Sequence, residues 1–286
     1  MRVIGYLLAA ALSAGVYAET TDNNSNSVAL PANVSKTTMP SQPSNFRKHM
    51  FSDFVTTYHG PTMDQFGPYS VNGLGHTDPG ALSGFDSEFH TAYYTNIDKG
   101  IGLGPVIPFQ YQPNLSEKQW TLGDVGVKAF NQKFISTPEL TAILNAYIMA
   151  PTSQGSQDAN VNFTLRTAPF AFYNIPNSRW VVGSWTDFRY LDGATAGPNF
   201  KAWVGPYVKY KFNDKLAFNL MYETEADHVV GNPGSQLSSA GADFQPGFIW
   251  QITPTMKLNP YVQLFTNNHL STDTTAVGAV FYSRIL

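Results

Sequence analysis

Residues 85–100 read FDSEFHTAYYTNIDKG, and acidic or polar residues alternate there with aromatic ones. Successive side chains of a β-strand point to opposite faces, so Phe85 begins an apolar face. The opposite, polar face carries Asp86, Glu88 and His90. A soluble sandwich would bury the apolar face, whereas a membrane barrel would turn it to lipid and the polar face to a wet interior. This stretch predicts a strand that fits either architecture.

The amino terminus indicates export. A single Arg2 precedes an apolar run over residues 3–16, and the run is followed by small residues, which is typical of a secretory signal peptide cleaved after Ala18. The run is too short for a membrane helix, and no other run reaches the roughly 18 apolar residues that a spanning helix needs. The chain has no cysteine, which excludes disulfides and thiolate metal sites. We therefore expect a periplasmic or outer-membrane protein.

The composition favours a membrane barrel over a soluble protein. Charged residues make up 13% of the 286 residues, and aromatic residues make up 14%. A soluble surface normally carries about twice that charge. The formal net charge is −3, or −3 − 1 = −4 once Arg2 is removed, so the charge balance does not indicate nucleic-acid binding.

The chain divides into three predicted parts: a signal peptide at 1–18, a flexible polar leader at 19–49, and a β-domain at 50–286. The leader is rich in Asn, Ser and Pro and has no hydrophobic period. Strand-like segments then recur at nearly even spacing. The predicted strands are 50–58, 84–97, 101–111, 120–130, 139–150, 161–173, 179–190, 200–212, 215–228, 241–252, 256–266 and 275–286.

The connections between these strands alternate in length. Short, turn-like connections lie at 98–100, 174–178, 213–214 and 253–255, with a looser one at 131–138. Longer connections lie between them, at 59–83, 112–119, 151–160, 191–199, 229–240 and 267–274. This alternation predicts a transmembrane up-and-down antiparallel β-barrel of about twelve strands (ten to fourteen), with both termini at the periplasmic, short-turn end. A soluble β-sandwich is the alternative, and internal prolines count against regular strands in either fold.

Polar and charged residues occupy the predicted interior face of several strands. On neighbouring strands we expect Lys209 and Lys211 to face Glu223 and Glu225. Such charges either form a structural cross-strand ladder or create a field across a pore. The predicted pore-lining residues are Asp86, Glu88, His90, Asp124, Lys128, Arg166, Asp187, Arg189, Lys209, Lys211, Glu223, Glu225 and Asp227. The predicted interface aromatics are Tyr93, Tyr94, Trp180, Tyr190 and Trp250.

Two short motifs carry a resemblance to a known family. LGDVGVKAF (122–130) and AYIMAPTSQGS (146–156) resemble the strand and loop motifs of FadL-superfamily channels, most closely the barrels associated with phenol-degradation operons. The resemblance implies passive uptake of small, apolar or aromatic molecules across the outer membrane. The carboxyl terminus, FYSRIL (281–286), departs from the family's terminal aromatic pattern, because Arg284 interrupts it and Leu286 ends it.

No catalytic, metal-binding or cofactor site is predicted. His269 and Ser271 form a His-x-Ser pair, but the pair falls in a predicted loop, and no two histidines have the helical spacing of a zinc protease. We therefore expect a non-enzymatic protein of the cell outer membrane, with membrane lipid and small solutes as its partners and no nucleic acid. Two functions remain open: a channel, or a structural or adhesive barrel with a filled lumen. The connection 59–83, about 25 residues, is long enough to serve as a constriction or a recognition surface.

Overall fold

The computed structural model describes residues 49–63, 84–111, 120–232, 234, 236–266, 271–272 and 274–285. The predicted signal peptide, the leader up to residue 48, most of the connection 59–83 and the His269 position lie outside the described residues. Among the residues described, no helix combines the length and the apolar character that a membrane span requires.

Fourteen strand segments and one short helix make up the described chain. Segments β4 and β5 form one barrel strand interrupted at residues 123–125, and β7 and β8 form another interrupted at 168–169, so the barrel has twelve strands. The segments are β1 (Met50–Thr62), β2 (Gly84–Asn96), β3 (Ile101–Tyr111), β4 (Trp120–Leu122), β5 (Gly126–Ser136), β6 (Leu140–Met149), α1 (Gln154–Asp158), β7 (Phe163–Thr167), β8 (Phe170–Asn174), β9 (Trp180–Asp192), β10 (Pro198–Lys211), β11 (Leu216–Val229), β12 (Ser238–Thr253), β13 (Met256–Phe265) and β14 (Thr275–Arg284).

The sheet closes on itself through its first and last strands. Strand β1 pairs antiparallel with β2 on one side and with β14 on the other. Closure leaves no unpaired strand edge, which a bilayer requires because lipid cannot satisfy backbone N–H and C=O groups. The predicted antiparallel up-and-down barrel of about twelve strands is confirmed.

The turns confirm most of the predicted connection pattern. Met50 lies opposite Tyr93 and Arg284 opposite Asp53, so the described strands begin and end at the short-turn end of the barrel. The looser connection tightens to residues 137–139, because β5 extends to Ser136. The long connection predicted at 191–199 is wrong in length, since extension of β9 and β10 reduces it to residues 193–197.

The outer face is apolar and carries aromatic residues near both ends. At the loop end the rings of Tyr111 and Trp120 lie 4.5 Å apart, and at the turn end those of Trp180 and Tyr210 lie 4.8 Å apart. Aromatic girdles at both rims are typical of outer-membrane barrels. The exposed outward residues include Phe85, Tyr93, Leu103, Ile107, Val127, Ile148, Leu165, Trp180, Val182, Tyr190, Leu216, Phe244, Phe248 and Trp250. Tyr94 is the exception among the predicted girdle residues, because it is buried and its hydroxyl donates to Gln132 Oε1.

In the last strand, Arg284 faces the interior, contrary to the prediction that it interrupts the terminal pattern. Val280 and Tyr282 are buried, whereas Ile285 is exposed. Arg284 lies in the same alternation as the two buried residues, and its guanidinium stacks over the ring of Phe51 at 5.4 Å. Arg284 therefore belongs to the interior series and does not interrupt the outward one.

Candidate functional site: the barrel interior

Contacts between strands that are not neighbours define the interior. Arg166 Nη1 on β7 lies 2.9 Å from Glu88 Oε2 on β2, although three barrel strands separate β2 from β7. Phe51 on β1 and Phe130 on β5 bring their ring centroids to 5.2 Å across two intervening strands. Only side chains that project inside the barrel reach each other in this way.

One side of the interior is packed with aromatic and apolar side chains. We call the inner face of β1, β2, β3, β5 and β6 the packed wall. Its largest cluster contains Phe51, Ala92, Tyr94 and Phe130, and a second one joins Val106, Tyr147 and Met149. Rings meeting edge to face gain attraction beyond the area that they bury.

His90 points inward as predicted, but its surroundings are not those of a wet lumen. It has no solvent exposure and packs edge-on against Phe51 and Phe130. Its Nδ1 lies 3.4 Å from Asp53 Oδ1. The prediction that His90 is a water-facing residue is wrong, because inward aromatic residues of two other strands surround it.

A charged bridge crosses the barrel at the edge of the packed wall. Arg166 Nε donates to Asp187 Oδ2 at 2.9 Å while Arg166 Nη1 donates to Glu88, so one guanidinium holds two acids. The guanidinium also stacks over the ring of Tyr147 at 4.5 Å, and Lys128 approaches that ring from 5.5 Å. A planar guanidinium suits such combined pairing and stacking. The bridge connects β2 with β7, so three barrel strands lie between its ends in one direction around the barrel and seven in the other.

The charges continue from the bridge along two adjacent cross-strand rows. Arg189 Nη2 lies 2.9 Å from Asp187 Oδ2 and stacks over the ring of Trp203. Lys201, opposite Arg189 on β10, lies 3.4 Å from Glu225 Oε1 and 3.5 Å from Asp227 Oδ2. We call these connected charges the charge belt; its members are Glu88, Arg166, Asp187, Arg189, Lys201, Glu225 and Asp227. It brings together six of the predicted residues: Glu88, Arg166, Asp187, Arg189, Glu225 and Asp227.

The predicted ladder of Lys209 and Lys211 is wrong in register. The turn at residues 212–215 places Lys209 opposite Asn219 and Lys211 opposite Ala217. Both lysines therefore lie in the turn-side half of the barrel, away from the acids of β11. Lys201, which is not among the predicted pore-lining residues, pairs with Glu225 and Asp227 on that strand.

The inner face of β9 to β13, which we call the polar wall, carries amide and charged groups among buried residues such as Met221 and Phe265. Glu223 and Asp243 lie directly opposite each other on β11 and β12. Gln245 Nε2 donates to Glu223 Oε2 at 3.2 Å, and Gln263 Nε2 donates to Asp243 Oδ2 at 2.7 Å. The buried polar residues of this wall are Asp187, Lys209, Asn219, Glu225, Asp243, Gln245, Lys257, Asn259 and Gln263.

Aromatic rings on the polar wall lie flat over glycines of neighbouring strands. A Cβ added to Gly278 would meet the ring of Tyr261 at 2.4 Å, and one added to Gly183 would meet the Tyr207 hydroxyl at 2.6 Å. Glycine therefore lets each ring lie along the wall instead of projecting toward the barrel axis. The sequence gives no direct signal for this pairing, because each ring and its glycine are on different strands.

Asp124 and Asp86, the remaining predicted acids, lie toward the loop end. Asp124 Oδ1 accepts from the Ser153 backbone N–H at 2.8 Å, and its Oδ2 accepts from the Ser156 hydroxyl at 2.5 Å. Asp124 thus anchors the start of α1, and its prediction as an interior pore residue is corrected. The two motifs that carry the family resemblance meet at this contact. Asp86 Oδ2 lies 3.1 Å from His59 Nε2.

No metal centre is evident in the part of the chain that the structure describes, where no three His, Cys, Asp or Glu side chains group closely enough to hold an ion. The interior chemistry of the described strands is therefore that of ion pairs, amides and aromatic rings.

The comparisons with known proteins bear on the fold. An outer membrane channel of the COG4313 group from Pseudomonas putida F1 superposes with a TM-score of 0.53 at 11% identity, over 86% of this chain and 100% of the other. This chain has the fold of outer-membrane β-barrels. The NanC porin aligns with a TM-score of 0.44 at 8% identity, over 82% of this chain and 100% of that one. Salmonella typhi OmpF in complex with daunomycin gives 0.39 at 8%, over 82% and 97%.

Sequence comparison adds no family assignment. No family model matches the chain, and no curated protein matches it. The outer-membrane barrel part of the predicted resemblance is confirmed by the fold, while its FadL-superfamily part stays a prediction.

Proposed function

We propose that this protein is an outer-membrane channel through which small molecules diffuse passively. The observation that carries the proposal is the polar wall, where charged interior side chains keep contact with solvent: Arg189 is 39% exposed and Lys201 is 29% exposed. Burying such groups away from water costs several kcal/mol each unless they are paired, roughly 2–7 even for an uncharged group. A hydrated path along this wall accounts for the exposure that these side chains keep.

In this proposal the path runs on the larger side of the Arg166 bridge. That side is bounded by seven strands, whereas the three strands on the other side carry packed residues such as Val106 and Met149. The charge belt then forms the narrowest level of the path, and its acids and bases select solutes. The proposed pore-lining residues are Glu88, Arg166, Asp187, Arg189, Lys201, Lys209, Lys211, Glu223, Glu225, Asp227 and Asp243.

The proposed location is the outer membrane, after export through a signal peptide cleaved at Ala18. The apolar outer face and the two aromatic girdles support this location, because both suit contact with lipid. In the proposed orientation the short turns face the periplasm. Cysteine at Ser156 should then be labelled by an impermeant thiol reagent on intact cells, and cysteine at Asp214 should not. Reversed labelling would contradict the orientation.

A structural barrel with a filled lumen is the second candidate. The packed wall favours it, since His90 and Val106 are completely buried and Phe51 reaches Phe130 across the interior. This candidate requires the polar wall to be closed by contacts as tight as those of the packed wall. It predicts a stable barrel without conductance.

Conductance across a planar lipid bilayer distinguishes the two candidates. Purified full-length protein should shift its mobility between unheated and boiled detergent gels, which reports a folded barrel. The same preparation should produce discrete current steps in potassium chloride. Current steps support the channel. A heat-shifted band with no conductance above that of the empty bilayer rejects the channel and leaves the structural barrel.

A further inference from the structure

Two of the interior acids have different contacts from the other interior acids. The interior faces of the described strands carry eight acids, and six of them have an Arg, Lys or His nitrogen within 4 Å. The two others are Glu223 and Asp243, which face each other across β11 and β12. In the described part of the chain, no lysine or arginine nitrogen lies within salt-bridge distance of either carboxylate.

Their existing contacts do not balance two negative charges. Both carboxylates accept from glutamine amides, Glu223 from Gln245 and Asp243 from Gln263. Asp243 is 2% exposed, and its Oδ1 is buried without a hydrogen-bond partner. Like charges directly opposite each other on neighbouring strands repel, and they cannot both remain ionised without a counterion. The pair therefore needs either a shared proton or a hydrogen-bond donor that carries positive charge.

Aromatic side chains lie on both sides of the acid pair. The cross-strand row runs from Trp185 on β9 through Gly205 on β10 to the acid pair, and then to Phe265 on β13. The indole of Trp185 lies over Gly205, where an added Cβ would meet its Nε1 at 2.3 Å. Phe265 is 4% exposed beside Asp243. Two aromatic side chains thus flank the carboxylates along the cross-strand row.

The same wall offers further acceptors toward the turn end. Asn219 Oδ1 on β11 and Asn259 Oδ1 on β13 are also buried without partners. Between their strands lies Gly247, opposite Asn219 and Tyr261, where the wall has no side chain. Oxygen acceptors without donors favour a solute that supplies N–H or O–H groups.

We propose that the Glu223–Asp243 pair binds the primary ammonium group of a small organic cation. The group supplies three N–H donors and one positive charge, which match one carboxylate oxygen of Asp243 and the oxygens of Glu223. Hydroxyl or amino groups elsewhere on a longer solute would extend toward Asn219. This inference rests on the proposed function, because it names a solute class for the same interior path.

Binding is measured on the detergent-purified, full-length barrel by its thermal unfolding midpoint, read as the temperature at which the folded gel band disappears. Ethanolamine is the probe, and tetramethylammonium at the same ionic strength in potassium chloride is the matched cation that has no N–H donor. We expect ethanolamine to raise the midpoint saturably, because a ligand that binds only the folded state stabilises it. Tetramethylammonium should not.

Two variants locate the site. Asp243→Asn removes one carboxylate and should weaken ethanolamine binding by about tenfold or more, as expected when a charge-assisted hydrogen bond is lost. Glu223→Gln should have a similar effect, and it serves if the first variant fails to fold. Asp214→Asn is the matched control, because it removes an exposed acid from the turn between β10 and β11. It should leave binding within about twofold of wild type, because that turn lies outside the barrel interior.

The outcomes separate this inference from the channel proposal. Equal stabilisation by the two cations, or undiminished binding in both acid-pair variants, would overturn the site and indicate charge screening. Absence of ethanolamine binding also overturns it and leaves water or a shared proton at the pair. Ethanolamine binding without bilayer conductance supports the site and rejects the channel, whereas conductance without binding supports the channel and rejects the site.

Discussion

The two walls of the barrel differ although their strands follow the same alternating pattern. On the packed wall, inward Phe51 and Phe130 reach each other across the interior and enclose His90. On the polar wall, inward amides such as Gln263 donate to acids of the neighbouring strand. Alternation therefore decides which face points inward, while the size and polarity of the inward residues decide whether that face is filled.

The largest expected effect comes from emptying the packed wall. Phe130→Ala should lower the free energy of unfolding by about 3–5 kcal/mol, because a buried ring in contact with three other aromatic residues is replaced by a cavity. The measurement is urea unfolding in detergent. Phe248→Ala is the matched control, since Phe248 is 48% exposed on the outer face. Equal losses in the two variants would contradict the packed wall.

The next effect concerns the bridge between the walls. Arg166→Gln should cost about 3 kcal/mol, because Glu88 and Asp187 then lose the cation that they share. The same unfolding assay measures it. Arg179→Gln removes an exposed arginine that contacts only the Phe212 carbonyl among the described contacts, and it should change stability far less. If Arg166→Gln is as stable as Arg179→Gln, the bridge does not join the walls.

A smaller effect on stability, but a clear one on ion preference, is expected on the polar wall. Replacing Glu223, Glu225 and Asp227 with Gln or Asn should move the reversal potential in a salt gradient toward anion preference. The shift should be larger at low salt, because charges are screened within about 10 Å at 0.1 M. Neutralising Lys209 and Lys211 should have the opposite effect. A reversal potential that no substitution moves would remove these side chains from the ion path.

The sequence predicted local features of the barrel well. Strands, turns and the inward face of β11 follow from alternation and turn residues that are close together in the chain. The strand register was less predictable. The turn at 212–215 shifts Lys209 and Lys211 along β10 relative to the acids of β11, so their predicted pairing with those acids was wrong. Side-chain partners were the least predictable, since Arg166 and Glu88 are 78 residues apart and meet only when the barrel closes. The contact between Asp124 and the start of α1 likewise depends on a loop that folds back to it.

The central claim is that solutes pass along the polar wall and not along the packed wall. Because the chain has no cysteine, a single introduced thiol is a unique reporter of access. Asn259→Cys on the polar wall and Ala92→Cys on the packed wall are each recorded in a planar bilayer while a positively charged, thiol-reactive methanethiosulfonate is added. If solutes pass along the polar wall, the reagent reduces the current of the Asn259→Cys channel and leaves that of Ala92→Cys unchanged. Block at Ala92→Cys with no block at Asn259→Cys would contradict it.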